Sequence, residues 1–332
     1  MDKTDVRRGN LELLMQKLGE AGQATKPELS KLTGLSVVTI NTLIAQMVKS
    51  GEVKALDLAP SGGGRRPKRY KIAADRYMAL ACYLYEEGGI VNLIIFLENL
   101  SGEIVEQQVL YQSEVTKEIF FKALSPYLKK YPQITAVTVG LPGAEIDLKI
   151  KCADFPALDD APLREWLSAK LSRPVNIVGD VRAAVFGVAG SLDPSDSGAV
   201  VGVRWSRDRS PAVGIMLGGQ IYRGRDRVAG QIAYLFDDTA APSSLAPLEE
   251  AAKAVGQITA LINPNTVILY NDRLKVSDAA EIKTRLTPKI PAKFLPNILI
   301  RPDMGEDYSQ GIYNLALRYL KEIIALAKGK KS

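Results

Sequence analysis

The chain has 332 residues, 46% hydrophobic and 24% charged, which suits a globular protein of more than one domain. It has no histidine and two cysteines, Cys82 and Cys152, 70 positions apart. This excludes histidine-based acid–base or nucleophilic chemistry and a self-contained Cys/His zinc site, so no metal or cofactor is expected. The net charge of +6 is segregated: residues 1–76 hold 14 Lys+Arg and 8 Asp+Glu, and the remainder holds 29 of each. Charge concentrated on a small, apolar-patterned module points to a polyanionic partner. No apolar run approaches the roughly 20 residues of a membrane span, and the amino terminus lacks a signal-peptide core; no membrane partner and a cytoplasmic location are expected.

From Asn10, NLELLMQKLGEAG places Leu11, Leu14, Met15 and Leu18 on one helical face. Thr25 and Glu28 then form a capping box for a short second helix that breaks at Thr33-Gly34. Ser36 caps a third helix, with Ile40, Leu43, Ile44 and Met47 as its buried stripe and Gly51 closing it. Two helices joined by a tight turn after a supporting helix are the layout of a helix-turn-helix. Its candidate DNA contacts are Thr25, Ser36, Val37, Val38, Thr39, Asn41, Thr42 and Gln46, small groups suited to base edges, thymine methyls and phosphates. The same pattern also fits a trihelical interaction domain with a solvated face.

Strand-like EVKALDL (52–58) and KRYKI (68–72) flank PSGGG, so a hairpin follows the third helix and completes a winged helix. Arg65 and Arg66 are placed to enter a minor groove, and Lys68 and Arg69 to meet phosphates, unless the strap is a solvated linker.

Beyond Asp75 the pattern changes. Three strands (78–85, 90–98, 103–111), a helix near 116–130 and a buried strand (134–141) are followed by a second strand triplet at 198–206, 212–217 and 220–224. A helix (about 245–262), a strand (266–270), another helix, a strand (297–302) and a last helix (309–328) complete the chain. The recurrence predicts two related α/β lobes with a cleft between them.

At this point the residues carry a family resemblance. RRGNLELLMQKL, GGGRRPKRYKI, VTVGLPG, ADFPALDDAPL, RPVNIVGDVRAA, GGQIYRGRDRVAGQI and LINPNTVIL occur in the order seen in ROK-family transcriptional regulators, which the chain resembles over nearly its whole length. The resemblance implies a multidomain protein: a winged helix-turn-helix (1–76) joined to a two-lobed α/β body of the actin/hexokinase, ribonuclease H-like, type. The first lobe would span 77–188 and the second, shortened and without the family's zinc loop, 189–332. The last helix would pack back on the first lobe.

The departures from the family pattern are informative. YLYEEGG puts Glu86 and Glu87 where the resemblance would place ATP phosphates, and SRDRSPAVG (206–214) lacks the glycines of a second phosphate loop. Asp180 matches the family's catalytic base, yet Arg182 replaces a neighbouring asparagine and is expected to salt-bridge it. As a helix cap or as a ligand contact, Asp180 retains two readings. GQIAY puts Gln231 and Tyr234 where the family has a sugar-binding glutamate and a zinc-binding histidine, and Asp154 stands where an asparagine is usual.

The expectation is therefore a repressor that binds a double-stranded DNA operator as a homodimer or higher oligomer and controls carbohydrate-related genes. Its body would be non-catalytic, with Asp154, Asp180, Arg182 and Gln231 as candidate contacts for a sugar or sugar-phosphate effector. The alternatives are an ATP-dependent sugar kinase using Asp180 as base, and a DNA-binding dimer without an effector.

Overall fold

The computed structural model describes residues 3–56, 68–87, 89–152, 154–206, 209–230 and 247–329. The amino-terminal part comprises α1 (Lys3–Ala21), β1 (Ala24–Thr25), α2 (Lys26–Thr33), α3 (Val37–Ser50), β2 (Val53–Leu56) and β3 (Arg69–Ile72). Leu14 and Leu18 of α1, Leu29 of α2 and the α3 stripe Ile40, Leu43, Ile44 and Met47 close one core with Val53 and Tyr70.

The turns follow from side-chain chemistry. The Thr25 hydroxyl accepts from the Glu28 N–H while the Thr25 N–H donates to the Glu28 carboxylate, so both ends of the capping box are made. Gly34, at φ 72°, ends α2 in the left-handed region, and Ser36 then caps α3 through the Thr39 N–H. The two helices meet at 114°, inside the range of a helix-turn-helix. Strand β3 lies between β1 and β2, with Leu56 opposite Arg69 and Ala24 opposite Tyr70. The two-residue β1 was not anticipated from sequence.

The rest of the chain is built twice to one plan. First come β4 (Met78–Glu87), β5 (Ile90–Asn99), β6 (Ile104–Gln112), α4 (Lys117–Lys130), β7 (Ile134–Leu141), the small hairpin β8 (Ala144–Ile146) and β9 (Lys149–Lys151), α5 (Leu163–Leu171), β10 (Val175–Gly179) and α6 (Asp180–Ala189). Then come β11 (Ala199–Ser206), β12 (Arg209–Leu217), β13 (Gln220–Ile221), α7 (Pro247–Ile262), β14 (Thr266–Tyr270), α8 (Asp278–Leu286), β15 (Asn297–Arg301) and α9 (Gly305–Gly329). The sheet orders β6-β5-β4-β7-β10 and β13-β12-β11-β14-β15 are the same: an antiparallel triplet extended by two parallel strands.

Strand alternation divides the core into layers. In β4, Met78, Leu80, Cys82 and Leu84 face α4 and α5, while Ala79, Ala81 and Tyr83 face a central layer with α6 and α9. In β14, Val267 and Leu269 face the outer helices and Ile268 and Tyr270 the central layer. The central-facing strand positions are small because two helices cross between the sheets at backbone contact. A Cβ at Gly311 of α9 would collide with the Ala183 carbonyl, and one at Gly187 of α6 with the Asp307 carbonyl. Helix α9 packs on β4 and β7, so the chain's last helix lies against its first large sheet.

The amino-terminal module is seated on this body. Met15 and Ile72 pack in its own core and against the α9 layer. The Tyr77 hydroxyl donates to the Ser50 carbonyl at 3.2 Å and the Leu100 N–H to the Ala74 carbonyl at 3.0 Å.

Candidate nucleic-acid interface and inter-sheet cleft

Helix α3 turns its apolar stripe inward and leaves Val37, Val38, Asn41 and Thr42 outside; Val38 is 75% exposed. Two exposed valines at the start of a helix have no core to fill and suit contact with thymine methyls. The other candidates are partly engaged. Thr25 is buried in its capping box, Ser36 and Thr39 share a hydroxyl contact of 2.9 Å, Thr42 donates to the Val38 carbonyl, and Gln46 accepts from Arg7 at 2.6 Å.

At the base of the hairpin, Lys68 is exposed and Arg69 reaches Glu28 at 3.3 Å, tying β3 to the start of α2. Arg65 and Arg66 lie outside the described residues, as does Gln231.

The second candidate is a cleft of about 300 Å³ at the carboxyl ends of the parallel strands. Glu86, Asp180, Asp272 and Asp303 line it together with Arg204, Tyr85, Tyr270 and Tyr308. Asp180 opens α6, where its Oδ1 accepts from the Val181 N–H at 2.8 Å, and its Oδ2 accepts from Arg204 Nη1 at 2.8 Å. Both side chains of this pair are buried.

The pairing corrects the expected Asp180–Arg182 bridge. Residues two apart on a helix point in nearly opposite directions, so Arg182 turns away and donates from Nη2 to the carbonyls of Arg227 and Ala229, at 2.8 and 2.9 Å. Tyr85 closes the cleft from the other sheet: a Cβ at Gly305 would stand 2.7 Å from its hydroxyl. Asp307 is fixed nearby by Arg301 at 2.6 Å and by the buried Tyr270 hydroxyl at 3.0 Å, and burial pushes its carboxyl above the usual range. Asp154 is partly buried beyond β9 and, with Asp180, contributes to holding the Cys152 thiol high, at about 12, an effect led by burial.

A third group was not anticipated. Glu145 of β8, almost fully buried, accepts from Arg164 Nε at 2.8 Å and from Arg227 Nη1 at 2.7 Å. Arg182 and Arg223 stand close by. Burial, then the charges of Arg223 and Arg227, lower Arg182 to about 10; burial and Arg227 lower Arg223 as well. The signal available in the sequence was the density of arginine in YRGRDR (222–227).

A helix-turn-helix layout with a hairpin, carried on a duplicated body with a central cleft, defines the class of a small helical module joined to a two-lobed, actin/hexokinase-like body. No family model matches the chain. The xylose repressor of Bacillus subtilis (strain 168) is 23% identical over 252 residues, 73% of this chain and 64% of the repressor, so the match spans less than two thirds of that relative. Among solved structures, a ROK family transcriptional regulator described as a homolog of the E. coli MLC protein has a TM-score of 0.66 at 13% identity, covering 98% of this chain and all of that one. The ROK hexokinase of Thermus thermophilus reaches 0.54 at 16% identity over 74% of this chain and 99% of its own. At these identities the solved structures show the fold, which is that of ROK proteins.

Proposed function

We propose that the chain is a sequence-specific, DNA-binding transcriptional repressor of carbohydrate-related genes with a non-catalytic, effector-sensing body. The observation that carries this reading is the outward face of α3, with Val37, Val38, Asn41 and Thr42 exposed beside the base of a hairpin whose continuation contains Arg65 and Arg66. On this reading α3 enters the major groove, the hairpin meets the minor groove or the backbone, and residues 1–76, 77–188 and 189–332 act as reading head, first lobe and second lobe. A homodimer would set the spacing of two half-sites. The xylose repressor's name supplies the sugar connection.

The kinase alternative fares less well. Asp180 is committed to Arg204, and a lining of four carboxylates against one guanidinium disfavours a triphosphate. Selection from a random duplex library tests the reading. A single enriched motif is expected, with binding that weakens on Arg65→Ala/Arg66→Ala and a salt slope shallower by about one to two contacts. No enrichment above non-specific binding counts against it.

A further inference from the structure

The four arginines around Glu145 carry more charge than the described residues balance. Arg164 and Arg227 share the single carboxylate of Glu145. Among the described residues the Arg182 side chain donates to two carbonyls, which lower the cost of its burial without cancelling its charge. It also sits in the first turn of α6, at the positive end of that helix, where a cation is unfavourable. The Arg223 carbonyl accepts from the Ala229 N–H at 3.1 Å, but its partly buried guanidinium makes no hydrogen bond or ion pair among the described residues. Glu322 lies in its field but is engaged by Arg318 Nε at 3.2 Å. Arg164 and Arg227 thus pair with one buried glutamate, Arg223 lies in its field, and Arg182 lies beside Arg223 and Arg227, its nearest acid, Asp180, being already paired with Arg204.

Like charges held together at partial burial cost free energy unless an anion joins them, and planar guanidinium groups match oxyanions in shape. We infer that this cluster is an oxyanion-binding site, with Arg223 as the ligand's principal seat and Arg182 and Arg227 beside it. A dianionic phosphate monoester fits the surplus charge better than a carboxylate. Both the acidic cleft at Asp180 and the Arg204 guanidinium locked there point the anion to this cluster instead. The inference rests on the effector-sensing reading above and gives that effector its chemical class.

Calorimetry of the full chain at physiological salt, with orthophosphate, glucose 6-phosphate, glucuronate and glucose as probes, tests it. Duplex-DNA binding is measured on the same preparations, and thermal unfolding verifies that each variant is folded. The expected result is phosphate or glucose 6-phosphate binding that falls at least tenfold in Arg223→Ala and is partly kept in Arg223→Lys. Glucuronate binding with the same dependence supports the oxyanion site with a carboxylate occupant. Binding unaffected by Arg223→Ala places the anion elsewhere, on the basic hairpin for example, and overturns the inference. So does binding of glucose alone, or of no probe. If DNA binding persists in those cases, the regulator reading stands without the anion. Arg223-dependent anion binding without DNA binding keeps the oxyanion site and overturns the regulator reading.

Discussion

Arg204 of β11 donates to Asp180 at the start of α6, 2.8 Å away, and the pair links the two halves of the body at the floor of the cleft. The carboxylate that matches a kinase base is thus an acceptor in a buried ion pair. Removing one partner leaves the other charge stranded. Asp180→Ala is expected to cost about 3–5 kcal/mol in urea unfolding, whereas Asp180→Leu/Arg204→Met together should cost far less. Equal losses in single and double variants would mean that the pair is not the coupling element.

Nucleotide binding provides a second test. Tyr85 against Gly305 and the acidic lining leave the cleft poorly suited to a triphosphate. A ligand at 100 times its dissociation constant stabilises a fold by about 2.7 kcal/mol. Millimolar Mg-ATP is expected to leave the melting temperature unchanged, and a clear upward shift would restore the kinase reading.

Glu98 predicts a pH dependence. It is 3% exposed on β5, and its Oε2 has no hydrogen-bond partner among the described residues. Burial raises its pKa to about 8 against a pull from Lys321. Because the folded-state value lies above the unfolded one, the folded chain holds a proton that the unfolded chain releases. This contribution to stability is full below about pH 4.5 and is lost as pH rises through about 8. Glu98→Gln should flatten that decline and raise the melting temperature at pH 8.5 relative to the parent. An unchanged pH profile would mean that Glu98 titrates normally.

The crossing of α6 and α9 has no room for a side chain at Gly311. Gly311→Val should push the Ala183 carbonyl aside and destabilise the body by more than about 3 kcal/mol, with Gly311→Ala also costly. Chemical denaturation measures both, and neutral effects would show that the helices separate readily.

Local chemistry was well marked in the sequence. Thr25-Glu28, Ser36 and Gly34 produce the caps they predict, because a cap needs only neighbours in the chain. The duplicated strand triplets were legible from alternation and apolar runs. The helix over 309–328 begins four residues earlier, at Gly305, since Asp303 accepts from the Gly305 N–H. The cleft pairing was harder to read. Arg182 is adjacent to Asp180 in sequence but turned away by helical geometry, while Arg204 shares the central-facing side of β11 with Val200 and Gly202. Only the packing of α6 on β11 brings it to Asp180. The Glu145 cluster depends on four separate segments, and no single stretch encodes it.

The most direct measurement is the affinity of the chain and of Val38→Asp for its selected duplex, by fluorescence anisotropy. Val38 is 75% exposed in the first turn of α3, where a carboxylate leaves the fold intact and favours the helix dipole. Set against phosphates, the same charge should weaken binding by about 100-fold at an unchanged melting temperature. Unaltered affinity in a folded Val38→Asp would contradict the account, because α3 would then not be the surface that meets DNA.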